Sequence, residues 1–240
     1  MKLSKPFLKW AGGKHKLTPF IHAHLPQRRP RRLIEPFAGS AALSLALDFE
    51  AYLLNDTNSD LIQLYKVLKE QKQTFIDYAQ SFFSGNLNNE TTFYDLRGQF
   101  NQEKDAVTKS ALFIYLNRHA FNGLCRYNSK GEFNVPFGRY VAPYFPATEM
   151  AAFVAKSDRI SLMNEDFQAV FTLSGADDVL YCDPPYVPLS KTASFTAYAK
   201  TAFGEHQQKT LASRSEELLQ QDIPVLISNH DIPFTRRTVH

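Results

Sequence analysis

The stretch "VLYCDPPY", Val179 to Tyr186, runs from four strand-forming residues directly into an acid, two prolines and a tyrosine. Residues 179–182 predict a buried β-strand. Pro184 ends that strand, because proline lacks the N–H that a strand ladder needs and holds the preceding residue extended. Asp183 is therefore expected at the carboxyl end of a strand. In open α/β sheets ligands bind at this edge, so the stretch predicts a site on a stiff loop.

The rest of the chain predicts an α/β domain with a helical insertion. Strands are predicted at 32–37, 51–56, 159–166, 178–183 and 223–229, with helices of the same domain at 39–50 and 205–221. Between the second and third strands, helices are predicted at 59–71, 92–102 and 106–120, followed by a polar loop at 121–146. We therefore expect an open, mostly parallel sheet formed by residues 1–56 and 145–240, and a mainly helical domain at 57–144.

The composition excludes several classes of protein. With 240 residues, 44% of them hydrophobic, the chain can bury a substantial core. We find neither a signal-peptide core nor a membrane span, so a cytoplasmic location is expected. Cys125 and Cys182 are the only cysteines and have no metal-ligand spacing, so we expect small buried hydrophobic residues and no metal centre.

Positive charge is concentrated in one segment. Between Arg118 and Tyr144 four basic residues face one acidic residue, a local excess equal to the net charge of +3 of the whole chain. Such a concentration is typical of phosphate binding, although a solvated loop explains it as well. The arginines at 28, 29, 31 and 32 form a second basic cluster, for which a solvated connector is at least as good an explanation.

The first predicted βαβ unit carries features of a nucleotide-type site. In "EPFAGSA", Glu35 to Ala41, Gly39 allows a tight turn at the start of a helix. Asp56 ends the second strand about 20 residues later, the position of an acid that hydrogen-bonds a ribose diol. The alternative is that Asp56 caps a helix beginning near Asn58.

Two further segments could line the same crevice. "FLKWAGGKHK" is not a P-loop, but it offers Trp10, the only tryptophan, beside a glycine pair and Lys14. The indole could lie against a purine or simply anchor the N-terminal segment to the core. After the third strand, Asp166 could accept from an amino group and Phe167 could stack, while Asp166 as a helix N-cap is equally plausible.

The "DPPY" loop suits the chemistry of an exocyclic amino group. The lone pair of adenine N6 is delocalised into the ring, and two acceptors at its N–H groups draw that lone pair back onto nitrogen. The Asp183 carboxylate and the Pro184 carbonyl can provide them, Pro185 keeps the loop rigid, and Tyr186 can stack on the base. A cytosine N4 or a protein amide is the alternative acceptor of such chemistry. A merely rigid turn would leave the acid and the tyrosine unexplained.

With "FLKWAGGK", "EPFAGSA", "NDTNSDLI", "IYLNRHAFNGLCRYNSKGEFNVPFGRY", "PYFP", "YCDPPY" and "VLISNHD" in this order, the chain resembles the Dam-type DNA adenine methyltransferases, which methylate N6 of adenine in GATC. The resemblance implies the fold of class I S-adenosylmethionine-dependent methyltransferases, with 57–144 as the DNA target-recognition domain. It implies S-adenosylmethionine as donor, in a pocket lined by Trp10, Lys14, Phe37, Gly39, Asp56, Asp166, Phe167 and Asp183.

The same resemblance implies a set of DNA contacts. Positions that read bases are Lys9, Leu124, Arg126 and Pro136, and positions that contact phosphates are Arg97, Arg118, Asn128, Asn134 and Arg139, with Tyr140 at the same surface. Arginine and lysine are natural partners of guanine, and apolar side chains meet the thymine methyl. Since a stacked adenine is inaccessible, it must be flipped out, and Phe121 and Asn122 match the positions that fill the gap. The expected partner is double-stranded DNA containing GATC, bound by a monomer.

Besides Phe121, where the family commonly has tyrosine, the sequence departs from the family pattern at two places. Ala41 replaces the second glycine of the family's FxGxG turn, which adds a methyl group near the donor. After "SNHD" the family continues with a helix and further strands, so a final hairpin of the sheet is expected to be missing. The alternative function is therefore a truncated chain that binds DNA or cofactor without turnover. Residues 190–202, rich in Ser, Thr, Ala and Lys, could form a lid.

Overall fold

The structure, a computed structural model, describes residues 4–26, 30–186 and 203–230. Its sheet has five parallel strands in the order β3-β2-β1-β4-β5. The strands are β1 (Arg32–Glu35), β2 (Ala51–Asn55), β3 (Ile160–Met163), β4 (Asp178–Cys182) and β5 (Val225–Ile227). All five predicted strands are confirmed, and each ends one to three residues before its predicted end. The sheet expected to be mostly parallel is wholly parallel within the described residues.

The order of the strands places a crevice between β1 and β4. From β1 the chain crosses to β2 on one side, whereas β4 lies on the other side, so the direction of winding reverses at β1. The register pairs Leu33 with Val179 and Ile34 with Leu180. At the opposite edge, the Arg32 guanidinium donates to both carboxylate oxygens of Asp178 at 2.8 and 2.6 Å. The carboxyl ends of β1 and β4 therefore meet at the topological switch point, where such sheets bind ligands.

Eight α-helices lie within the described residues. They are α1 (Thr18–Ala23), α2 (Ala42–Ala46), α3 (Ser59–Gln80), α4 (Glu90–Gln102), α5 (Ala106–His119), α6 (Ala147–Lys156), α7 (Phe167–Phe171) and α8 (Glu205–Leu219). The helix expected at 39–50 starts later than predicted because Gly39 and Ala41 both have positive φ, and it ends at Ala46 because Leu47 is extended. The helix expected at 59–71 continues to Gln80 beyond an interruption at Lys72, where φ is +49°.

The polar loop predicted at 121–146 contains a small antiparallel hairpin. Tyr127 and Phe133 form an isolated bridge, and the Asn134 N–H donates to the Arg126 carbonyl at 3.0 Å. Gly131, with φ +77°, lies in the turn. The hairpin, residues 126–134, presents the basic segment on a defined backbone.

One hydrophobic core extends from the sheet into residues 57–144. Leu33 and Tyr52 of the sheet belong to the same buried cluster as Phe75, Phe93 and Phe113 of the inserted helices. A second cluster, which includes Leu180, Phe171 and Leu211, joins the sheet to α7 and α8. The inserted helices are present as predicted, but the expected boundary at 57 does not separate two hydrophobic cores.

The cysteines are buried and free, as predicted. None of the helices in the described part of the chain combines the length and apolar character that a membrane crossing requires. Residues 190–202, for which a lid is predicted, and Arg28 and Arg29 lie outside the described residues.

Replacing Ala41 by glycine should cost less stability than replacing Ala42 by glycine. Both alanines are buried, but Ala41 has φ +53° and ψ +38°, whereas Ala42 begins α2. A Cβ atom in the left-handed region costs roughly 1–2 kcal/mol, so glycine relieves strain only at Ala41. Urea unfolding should show Ala42→Gly to be the less stable variant by about that amount. Equal losses would mean that the turn carries no strain at Ala41.

Candidate active site

Asp183 lies directly after β4, in the crevice between β4 and β1. Its side chain is 22% exposed, and Pro184 behind it is buried. The strand ends here because Pro184 and Pro185 have no N–H to continue the ladder. The sequence prediction of an acid at the carboxyl end of a buried strand is confirmed.

Lys14 reaches this carboxylate from the N-terminal segment. Its ammonium donates to Asp183 Oδ2 at 2.8 Å and to the Gly12 carbonyl at 2.6 Å. Asp183 Oδ1, which is buried, lies 2.7 Å from the same nitrogen and completes the ion pair. The Lys14 nitrogen is also 4.8 Å from the centre of the Tyr186 ring. Two residues that the sequence predicted for one site are thus in direct contact.

Lys14 and Asp183 each stabilise the charged form of the other. Burial raises the pKa of Asp183, and the hydrogen bond and charge of Lys14 oppose that rise. Burial lowers the pKa of Lys14, but its interactions with Asp183 and Tyr186 outweigh burial and raise the pKa above the ordinary value. Lys14 therefore stays cationic and favours the ionised form of Asp183.

The turn after β1 is held around Gly39. A Cβ atom at Gly39 would lie 2.7 Å from Trp10 Nε1, so the indole packs directly on the glycine backbone. The Tyr65 hydroxyl donates to the Gly39 carbonyl at 2.6 Å, and the Gly39 N–H donates to Asp56 Oδ2 at 3.0 Å. The anchoring of the N-terminal segment by Trp10 and the tight turn at Gly39 both agree with the interpretations that the sequence offered.

Asp56 shapes this turn rather than capping a helix. Its Oδ1 accepts from the Asn58 N–H at 2.9 Å, while its Oδ2 accepts from Gly39. The N-cap of α3 is Asn58, which accepts from the Leu61 N–H at 3.1 Å, so the N-cap alternative for Asp56 is wrong. Burial raises the pKa of Asp56. A ribose contact of this carboxylate stays a prediction.

Asp166 and Phe167 follow β3 as predicted but have different surroundings. Asp166 is exposed and accepts from the Gln168 N–H at 3.0 Å, which confirms the N-cap alternative. Phe167 is buried against Phe37 and Phe203, with ring centres 5.4 and 5.7 Å away. Phe37, in the turn after β1, is half-buried at the edge of this aromatic group.

Sequence reasoning missed the role of Glu35. The last residue of β1, it is 3% exposed and accepts from the Ser44 N–H at 3.0 Å and from the Ser44 hydroxyl. Burial raises its pKa to about 7, and the charge of Asp183 contributes in the same direction. The sequence does contain a signal for Glu35, because it is an acid near the end of a predicted strand, as Asp183 is.

The hairpin orients one of the predicted base-reading residues. Arg126 Nε donates to Asn134 Oδ1 at 2.8 Å, so two predicted DNA contacts are paired across the hairpin. Asn128 Oδ1 accepts from the main-chain N–H groups of Lys130 and Glu132 and so forms the turn. The segment is therefore a structured surface rather than a loose loop.

The N-terminal segment is joined to this surface through Asn117, which sequence reasoning also missed. Asn117 Oδ1 accepts from the Lys9 N–H at 2.9 Å, and its Nδ2 donates to the Lys9 carbonyl at 2.7 Å. The Lys9 nitrogen lies 4.0 Å from the centre of the Tyr140 ring. Lys9 and Tyr140, both predicted DNA contacts, are therefore neighbours. No sequence pattern predicts this contact, because 108 residues separate its partners.

Arg118 does not lie at the surface. Its side chain is buried and donates to the Phe7 carbonyl at 2.5 Å, and burial lowers its pKa. Arg97 donates to the Val135 carbonyl at 3.1 Å. Arg139 is exposed and lies 3.4 Å from Glu90. Of these three predicted phosphate contacts, the structure therefore leaves Arg139 accessible and uses Arg118 to hold the N-terminal segment.

The predicted gap-filling residues are at the surface. Phe121 is 50% exposed, and Asn122 beside it has φ +53°. The Phe121 N–H donates to the Pro136 carbonyl at 2.9 Å, which places a predicted base-reading position next to this ring. Leu124 follows on the same short segment and is half-buried. An exposed aromatic ring on a fixed turn is available to a ligand.

With this geometry in view, comparison with known proteins gives a single family. Residues 10–240 match the D12 class of N6 adenine-specific DNA methyltransferases. The chain belongs to this family. It is 48% identical to a DNA adenine methylase of Vibrio cholerae over 238 residues, which cover 99% of this chain and 85% of that protein.

Other relatives are similar to the same extent. A DNA adenine methylase of Serratia marcescens is 47% identical over 98% of this chain and 87% of that protein, and one of Escherichia coli is 46% identical over 98% and 84%. The protein is thus a DNA adenine methyltransferase. In the described part of the chain, no group of three or more His, Cys, Asp or Glu side chains could hold a metal ion.

In this D12 methyltransferase, replacing Lys14 by glutamine should move the acidic limb of the pH–rate profile to higher pH. Lys14 lowers the pKa of Asp183 against the effect of burial, so its loss should raise that pKa further. Since the ionised carboxylate is the better acceptor, turnover should then fail at a higher pH on the acid side. The measurement is kcat at saturating substrates from about pH 5 to pH 8.

The matched control is Lys16→Gln, which removes the same charge from an exposed position two residues away. Its acidic limb should coincide with that of the wild type. If the acidic limb of Lys14→Gln lay at the same pH as that of the wild type, the coupling of Lys14 to Asp183 would be contradicted.

Proposed function

We propose that this enzyme transfers a methyl group from S-adenosylmethionine to N6 of an adenine flipped out of double-stranded GATC. The observation that carries the proposal is the largely buried Asp183 carboxylate at the switch point of the sheet, in contact with the Lys14 ammonium, which lies over the Tyr186 ring. An ionised carboxylate at this edge of the sheet can accept from the amino group of a base. The Dam-type motifs around this carboxylate support adenine as the base.

The crevice suits S-adenosylmethionine. The Gly39 turn opens the helix after β1 at the position where nucleotide-type ligands lie in such sheets. Each oxygen of Asp56 takes one main-chain N–H, which leaves lone pairs for further donors. Trp10 and the Phe37 side of the aromatic group flank the turn and offer apolar surface. When bound, S-adenosylmethionine supplies an electrophilic methyl group on a sulfonium.

The residues of the loop prepare the adenine for attack. Asp183 and the Pro184 carbonyl accept from the two N–H groups of N6, which concentrates the lone pair on nitrogen. Tyr186 stacks on the base and holds it in line. Asp183 acts as a hydrogen-bond acceptor, and it takes the proton readily only once the methylated amino group has become cationic. Lys14 keeps the carboxylate ionised until then.

The basic segment supplies the contacts to DNA. Arg126, oriented by Asn134, and Lys9, beside Tyr140, provide donors for guanine in the major groove, and Leu124 or Pro136 can meet a thymine methyl. Arg139, which is exposed and paired with the surface carboxylate of Glu90, can exchange that partner for a phosphate. The exposed ring of Phe121 and the Asn122 side chain brace the space that the flipped adenine leaves. Because Arg118 is buried, we propose no phosphate contact for it in this arrangement.

The proposal is tested by methylating a plasmid with the purified chain and S-adenosylmethionine. Paired restriction enzymes that require or are blocked by N6-methyladenine at GATC read out donor, base and site together. Asp183→Ala should abolish methylation while DNA affinity stays nearly unchanged, because the flipped base is the only part of the DNA that the carboxylate contacts.

Asp183→Asn serves as a second variant, since it fills the same volume and keeps one acceptor oxygen beside Lys14. Both variants should remain folded by circular dichroism. Methylation outside GATC would contradict the site, and equal loss of DNA binding and turnover in Asp183→Ala would contradict the role of the carboxylate.

The two accessible arginines should have different effects on DNA recognition. Arg126→Ala should reduce discrimination at one base pair by roughly 1–3 kcal/mol, because a bidentate base contact is lost. Arg139→Ala should weaken all sequences alike and lower the slope of log affinity against log salt by about one. Binding to duplexes with single substitutions in GATC, at several salt concentrations, measures both effects. An unchanged specificity profile in Arg126→Ala would contradict its role as a base-reading residue.

A further inference from the structure

A buried amide holds the loop that carries the acceptors. Gln208, in the first turn of α8, is 4% exposed, and its Nε2 donates to the Pro185 carbonyl at 3.0 Å. Its Oε1 accepts from Asn229 Nδ2 at 2.9 Å, and Asn229 Oδ1 accepts from the His230 N–H at 2.9 Å. These four groups, Pro185, Gln208, Asn229 and His230, form one chain of hydrogen bonds, which we call the amide relay.

The direction of the amide relay is fixed at both ends. A main-chain carbonyl can only accept, and a main-chain N–H can only donate. If either amide were rotated by 180°, two acceptors or two donors would face each other. Gln208 must therefore present its Nε2 to Pro185, and the relay has a single arrangement.

The Pro185 carbonyl is the point at which the loop needs such support. The proline rings fix φ of Pro184 and Pro185, and a following proline restricts ψ of Asp183 and Pro184. The ψ torsion of Pro185 is the first in the loop that neither rule fixes. It sets the direction of the Pro185 carbonyl and the position of Tyr186 after it.

His230, at the end of the amide relay, also contacts Tyr186. The Tyr186 ring lies against the His230 ring with centres 4.6 Å apart, in an edge-to-face arrangement. Next to the relay, the Ser228 N–H donates to the Cys182 carbonyl at 2.8 Å, so the segment after β5 follows the end of β4. One face of the loop is thus held by Lys14 and the other by Gln208 and this segment.

We propose that Gln208, oriented by Asn229, is a positioning residue for methyl transfer. It fixes the remaining torsion of the loop and thereby places Tyr186 relative to the Asp183–Pro184 acceptors, which the prolines already hold. This inference rests on the proposed function and extends it to two residues that touch neither base nor donor in it.

The hydrogen bond can be observed without catalysis. Only two prolines are followed by tyrosine, Pro143 and Pro185. With carbonyl-¹³C proline and ¹⁵N tyrosine, an HNCO spectrum therefore contains two signals, and Tyr144→Phe identifies the one from Pro143. In Gln208→Met the Pro185 carbonyl signal should move upfield through loss of its donor, while the Pro143 signal stays in place.

Loss of the Gln208 hydrogen bond should lower kcat and leave the KM values nearly unchanged. Gln208→Met should lower kcat tenfold or more, because misplacement by about 1 Å can cost on the order of a hundredfold. The KM values for DNA and S-adenosylmethionine should stay within about twofold, since both substrates bind through other groups. Asn229→Asp should reproduce the effect from the far end of the relay. Gln221→Met, at an exposed position just beyond α8, is the control and should match the wild type.

An unchanged Pro185 signal in Gln208→Met would overturn the inference. So would an unchanged kcat in both relay variants of an active enzyme, or a rise in KM with no fall in kcat. Lack of methylation by the wild type would instead contradict the proposed function, and the spectrum alone would then decide whether Gln208 holds the loop.

Discussion

Removing a carboxylate from water is costly unless a cation comes with it, and much of the site follows from this requirement at Asp183. Burial at the end of β4 raises the pKa of Asp183, and Lys14 supplies the opposing charge from a segment 169 residues away. That segment must therefore lie across the crevice. Trp10 packs on Gly39, and Arg118 donates to the Phe7 carbonyl. The Asn117 side chain accepts from the Lys9 N–H and donates to the Lys9 carbonyl. The backbone around the ion pair is fixed at each of these points.

The strands and the main acid of the site could be predicted because their signals are local. An apolar run that ends at proline defines β4 and Asp183, and the glycine after β1 defines the turn. Strand ends were predicted one to three residues too far along the chain, because side-chain hydrogen bonds replace regular strand pairing there. The Asn55 side chain, for example, donates to the carbonyls of Pro36 and Glu165, which follow β1 and β3. At Asp56 and Asp166 the sequence offered two roles each, and the choice depended on which N–H groups the fold brings near. The hairpin at 126–134 was missed because it rests on a single bridge and on the side chain of Asn128.

Residues that hold the site from a distance left no signal in the sequence. Asn117, Gln208 and Asn229 are amides whose partners lie far away along the chain, and an isolated amide has many ordinary uses. Arg118 is the opposite case, a residue for which the sequence suggested a role that its burial does not fit. Its position in the family pattern implied a phosphate contact, yet the fold buries it against Phe7. Whether a basic side chain reaches solvent depends on packing, which the pattern of charges does not contain.

The continuous core between the sheet and the inserted helices bears on how this family can change its sequence specificity. Phe75, Phe93 and Phe113 pack in the same cluster as Leu33 and Tyr52, so the helices that support the proposed recognition surface are also part of the core that contains the sheet. Exchange of the whole insertion between relatives would disturb side-chain packing beneath the sheet. Changes confined to the hairpin and to the exposed turn at Phe121 would not. Divergence of specificity is therefore expected to proceed by substitution on that outer surface, and transplantation of the insertion as a cassette would need compensating changes in the core.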